Sequence, residues 1–264
     1  MSKKMNNAPV YFTVAQIRFN PILNMDGYLA AIQEKMRMAH FPDFKRETIQ
    51  QLTVPFNASN EEGKVPTPSF TPRARCIFGN IEGKTEFVLE NNALSLQTTV
   101  YETFEAFSKI LLDGLMIVHN ALNLDFTERV GLRYLDAVLP KENELLSDYL
   151  TTEVLGLAFK LSGKLSHSFN ETVTMNTTGQ LVSRVVIQSG PLGLPPELMV
   201  LAPRIDQRFT QTKGLHAIID TDAFTIVREP FNVDKLRERL HALHLEINKS
   251  FKATVTPSAL KKWE

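Results

Sequence analysis

Apolar and polar residues alternate along 9–19, Pro-Val-Tyr-Phe-Thr-Val-Ala-Gln-Ile-Arg-Phe, and the β-branched and aromatic content of that stretch predicts a strand. Asn20-Pro21 ends it, because proline cannot donate to a ladder. Over 25–39 the spacing changes to three and four, placing Leu29, Ile32 and Met36 on one helical face. A strand around 47–56 leads into the polar, proline-broken stretch 57–69, which reads as a flexible loop. Strands follow at 70–78, 85–89 and 93–100, with a turn at Gly79–Gly83 and a tight hairpin at Asn91-Asn92. The helix 101–124 carries Phe104, Phe107, Leu111, Leu115, Val118 and Leu122 as one apolar stripe, and a strand is predicted over 128–138.

Pro140 through Ser147 is polar and reads as a junction, dividing the chain into 1–140 and 141–264. Beyond it, strands are predicted at 152–160, 165–175, 181–188, 199–210 and 214–227, with a rigid loop at Gly190–Pro196. A helix with Leu236, Leu240, Leu243, Ile247 and Phe251 on its apolar face follows, and Thr256-Pro257 opens a short terminal helix. The two long helices end alike: His119, Asn123 and Phe126 in one, His244, Asn248 and Phe251 in the other. That echo suggests one unit used twice. The expected fold is α+β, with two related lobes, each a mostly antiparallel sheet packed by long helices and resembling a ferredoxin-like sandwich.

Composition changes this picture little. Hydrophobic residues at 43% and charged residues at 22% describe an ordinary globular chain, and 264 residues suffice for a sizeable core. Basic and acidic residues number 29 each, so no global field draws the chain to nucleic acid or anionic lipid. No apolar run has the length of a membrane span. The single cysteine, Cys76, excludes an intramolecular disulfide and suits a reducing, cytoplasmic setting.

Three stretches carry a resemblance: Gln16-Ile17-Arg18-Phe19-Asn20-Pro21, Leu96 through Phe107 with its central Tyr-Glu-Thr-Phe-Glu block, and Val130-Gly131-Leu132-Arg133-Tyr134-Leu135. Together with Asp220-Thr221-Asp222 and Trp263 they resemble a sporadically distributed prokaryotic family of about this length that has no established activity. The resemblance therefore implies no catalytic residue and no cofactor. Its patchy distribution, of a kind common among laterally transferred toxin–antitoxin and phage-defence genes, implies a partner encoded alongside.

The residues offer few chemical candidates. Gly79 through Thr85 has one residue too few between its glycines for a phosphate loop and precedes a strand, so it reads as a hairpin turn. Glu238, His241 and His244 spread around their helix and do not form a metal set. His119 and His244 lie on apolar stripes, as structural histidines or as two halves of one shared site. Asp220 and Asp222 share one side of a strand, without a third carboxylate to complete a metal centre. Arg18 and Arg133 sit mid-strand, where each either pairs with a carboxylate or lines a groove for an anion or nucleic acid, with Tyr134 as a stacking surface. Partner binding is assigned to Arg18, Arg133, Tyr134, His119 and His244; no catalytic residue, metal or cofactor is assigned. The expected function is a non-enzymatic binding or adaptor protein with a protein partner, compatible with a homo-oligomer. RNA binding on an open sheet face is the alternative.

Overall fold

Strand β1 (Val10–Phe19) lies between β5 (Ala93–Thr98) and β6 (Phe126–Val138), antiparallel to both, and so joins the first part of the chain to the second within one sheet. The computed structural model describes residues 7–53, 69–199, 201, 204–212 and 214–264, with backbone alone at 50–53, 69–73 and 158. The remaining strands are β2 (Asp43–Thr53), β3 (Ser69–Gly79), β4 (Thr85–Glu90), β7 (His167–Met175), β8 (Gln180–Ser189) and β9 (Leu215–Pro230). Among the described residues they form a nine-stranded antiparallel sheet in the order β2-β3-β4-β5-β1-β6-β9-β8-β7. From β1 the chain crosses to the edge and steps back through β3, β4 and β5 to lie beside β1. From β6 it crosses to the opposite edge and returns through β8 and β9 to lie beside β6. The expected α+β class with antiparallel strands is therefore present, the strands lying in one continuous sheet.

Helices α1 (Leu29–Met38), α2 (Phe104–Leu122) and α6 (Val233–Thr254) pack their apolar stripes on one face of this sheet. Thr103 starts α2 by accepting a hydrogen bond from the Ala106 amide at 3.2 Å, and Asn123, in the left-handed region with φ 52°, closes it. Asn232 caps α6 in the same way, accepting from the Lys235 amide at 3.0 Å. The main core fills the space beneath, with Leu111, Leu115 and Val118 of α2, Leu236, Leu240 and Leu243 of α6, and Ile17, Phe87, Leu96 and Leu132 of the sheet. A second cluster on the same face gathers Val138, Tyr149, Ile187 and Ile219 under α7 (Pro257–Trp263), whose Trp263 it includes. No helix among the described residues is long and apolar enough to cross a membrane.

Two expected strands are helical instead. Residues 152–160 form α3 (Thr152–Leu155) followed by a 3₁₀ turn, Gly156–Phe159. Gly156 turns the chain there with φ 56°, and Leu155 reaches the second core cluster, which one short helical turn does as well as a strand. The described residues of 199–210 hold no strand either. They follow α4 (Pro196–Met199), and Asp206 caps α5 (Gln207–Thr210) by accepting from the Arg208 amide at 2.9 Å. These turns drape Leu192, Leu198 and Phe209 over Tyr11, Phe12, Leu135 and Ile218 on the second sheet face. The strand expected from 47 starts earlier, at Asp43, because its pairing with β3 runs from Asp43–Gly79 to Thr53–Ser69. The expected loop 57–69 lies, but for Ser69, outside the described residues.

Candidate functional site

Alternation along β6 sends Val130, Leu132, Tyr134, Asp136 and Val138 to the helix-covered face and Arg129, Arg133 and Leu135 to the opposite one. Arg133 thus lies on the face away from the long helices, where the segment carrying Glu197, Leu198 and Leu201 covers it. Arg133 is 8% exposed, and its guanidinium makes a fork to Asp220, Nε to Oδ1 and Nη2 to Oδ2, both at 2.6 Å. Nη2 also donates to Glu197 at 2.7 Å. Burial disfavours the arginine's charge, yet hydrogen bonds and attraction from Asp220 and Glu197 carry its pKa above the ordinary value. Asp220 receives a second guanidinium, Arg184, at 3.4 Å, and Arg184 in turn binds Glu171 on β7. Asp220 is therefore a structural counter-ion. Asp222 shares its strand face, with burial raising its pKa. Arg18 stays on the open part of the face, 41% exposed and 3.7 Å from Glu128.

This ion chain runs outward to an unprotected edge. β7 pairs with β8 without a bulge from His167–Gln188 to Met175–Gln180, and among the described residues its backbone has no other partner. On the face bearing Glu171, the side chains Phe169, Val173 and Met175 are 59%, 51% and 74% exposed. Edge strands are ordinarily blunted by proline, lysine, a bulge or a covering element, and β7 has none of the first three. Beside it lies a groove of about 420 Å³ whose lining includes Phe169, Val186, Leu194 and Pro195 together with Arg184 and Asp220.

A second, smaller cleft opens on the helix face, about 150 Å³, between the start of β1, the end of β6 and α6. Here the fold joins two of the expected residues. The hydroxyls of Tyr101 and Tyr134 are 3.0 Å apart, and the Tyr134 hydroxyl is 3.3 Å from His244 Nδ1. Burial lowers the His244 pKa to about 4, leaving a neutral ring whose Nδ1 accepts from Tyr134 when Nε2 carries the proton. Burial holds the Tyr101 and Tyr134 hydroxyls well above the usual phenol range. Asp136 lines the same cleft at 8% exposure and has no hydrogen bond or ion pair to another described residue. Burial, reinforced by Asp220, raises its pKa to about 7. Sequence reasoning missed Asp136. Its signal was a carboxylate placed in the inward alternate series between Tyr134 and Val138.

His119 and His244 are not brought together. His119 stacks on Phe231 and His244 on Phe104, so each ring lies on an aromatic of the other helix's N-terminal end. Cys76 is buried, and burial pushes its thiol pKa up, away from nucleophilic reactivity. The stretch Gly79–Thr85 is the β3–β4 turn, with the Asn80 side chain accepting from the Lys84 and Thr85 amides. No group of three potential metal ligands occurs among the described residues. No protein-family model matches this chain, and no curated protein is similar to it.

Proposed function

We propose that this is a binding protein that engages a protein partner by strand addition at β7. The observation that carries the reading is the β7 edge, unpaired among the described residues, with Phe169, Val173 and Met175 exposed beside a groove. A partner segment laid antiparallel along β7 gains main-chain hydrogen bonds, and its alternate side chains meet those three residues and the groove wall. The ion chain Glu171–Arg184–Asp220–Arg133 supports the role by anchoring β7 through β8 and β9 to the central strand β6. The family resemblance adds that the partner is encoded alongside.

The repeated connectivity about the β1–β6 pair and the two histidine stacks support descent from a duplicated unit, in which β7 is the edge of the second copy. RNA binding remains the second reading. Its support is Arg129, whose guanidinium lies 4.6 Å from the Phe224 ring centroid on the face that also carries Arg18. Arg133, the other arginine expected there, is engaged by carboxylates.

Affinity capture from the native host, with bound protein and nucleic acid both sequenced, tests these readings. Wild type should retain a protein that Val173→Lys does not, since a lysine blunts an edge strand. Retention of the same protein by Val173→Lys, or of RNA alone, would contradict the β7 reading.

A further inference from the structure

The helix-face cleft presents a chemistry of its own. It is lined by Tyr101, Tyr134, Phe251, Val10 and Ile247, and its buried acid is Asp136. A carboxyl group this buried is ordinarily matched by a hydrogen-bond donor or a cation, and Asp136 has neither among the described residues. Among the described residues the lining includes no lysine or arginine. An anionic ligand would meet the buried Asp136 carboxylate. A hard metal ion would need several oxygen ligands, whereas the cleft offers aromatic faces around one buried acid. Aromatic faces and a carboxylate together suit a different guest, an organic ammonium ion, whose charge the ring quadrupoles and the acid both attract.

We propose that this cleft binds a small organic ammonium ion, with Asp136 as its counter-ion and Tyr101 and Tyr134 as its aromatic walls. The hydrogen-bonded series Tyr101–Tyr134–His244 holds the wall residues in place, and His244, stacked on Phe104, is itself fixed. The volume of about 150 Å³ restricts the guest to an amine with few carbon atoms. A guest cation would favour the ionised form of Asp136, which burial disfavours, so binding should release protons near neutral pH. Among the described residues, Asp220, Glu102, Tyr11, Tyr101, Tyr134 and His244 are the titratable groups around it.

Calorimetric titration at pH 8 with butylammonium, butanol and butyrate, on wild type and Asp136→Asn, tests the proposal. Wild type should bind butylammonium at least tenfold more tightly than neutral butanol of the same shape and should not bind butyrate. Asp136→Asn, nearly isosteric, should lose that preference. Equal affinity of wild type for butylammonium and butanol, a measurement that needs no variant, would overturn the proposal. So would an unchanged preference in Asp136→Asn.

Discussion

His244 lies flat on Phe104, the ring centroids 4.2 Å apart and the planes 6° from parallel. At the other end of the same helix pair His119 lies on Phe231, at 3.9 Å and again 6°. Each histidine comes from the body of one long helix and each phenylalanine from the N-terminal end of the other, so α2 and α6 are clasped at both ends. His244 further contacts Tyr134, and through it the cleft that holds Asp136. His244→Ala should therefore loosen the cleft, and His244→Phe should keep the stack while losing the hydrogen bond. Near-ultraviolet circular dichroism of the tyrosines should change in both variants, and more in the alanine.

Removing one member of the Arg133–Asp220 pair leaves the other charge buried without its fork. Arg133→Ala or Asp220→Asn should cost about 3–5 kcal/mol in urea unfolding. Arg18→Ala, at an exposed pair 3.7 Å from Glu128, should cost about 1 kcal/mol or less.

Gly114 sits in α2 where a Cβ would come within 2.3 Å of the Phe87 ring on β4. Alanine favours helix by about 1 kcal/mol over glycine, yet here the clash dominates, and Gly114→Ala should destabilise by about 1–3 kcal/mol. Pairing it with Phe87→Leu should recover part of the loss, which a double-mutant cycle would read as coupling.

Asp136 and His244 give opposite pH dependences. The raised Asp136 pKa means that the folded state holds its proton more tightly, so its contribution is full below about 4 and is lost as pH rises to about 7. Asp136→Asn should thus be more stable than wild type at pH 8, by at most about 4 kcal/mol, with the difference shrinking towards pH 4. The lowered His244 pKa works the other way: its contribution is present above about 6.5 and is lost as pH falls towards 4. Unfolding curves of Asp136→Asn and of His244→Phe against wild type, collected from pH 4 to 8, should therefore diverge in opposite directions.

The elements that could be read from the chain are those whose whole length faces one neighbour. The stripes of α2 and α6 repeat at helical spacing because every apolar position meets the same sheet. The run Val154 through Phe159 is too short for its period to separate helix from strand, and Gly156 decided it. Leu198, Leu201 and Phe209 take their places from packing on Tyr11 and Ile218, distant in sequence. Arg133 was legible as a mid-strand arginine, but its burial depends on Asp220 and on the covering segment, neither of which local pattern reveals. Tyr134 and His244 were both marked, without any sign that they would touch. Asp136 went unmarked because a single acidic residue in a strand ordinarily reads as surface.

The reading of β7 as a partner-binding edge is tested most directly by photo-crosslinking in the native host. A photoreactive amino acid at Val173, on the exposed edge, is compared with one at Ile81, 88% exposed in the β3–β4 turn at the other side of the molecule. The account predicts a discrete crosslink to a second protein from position 173 and none from position 81. Crosslinks of equal yield from both positions, or to nucleic acid alone from position 173, would contradict it.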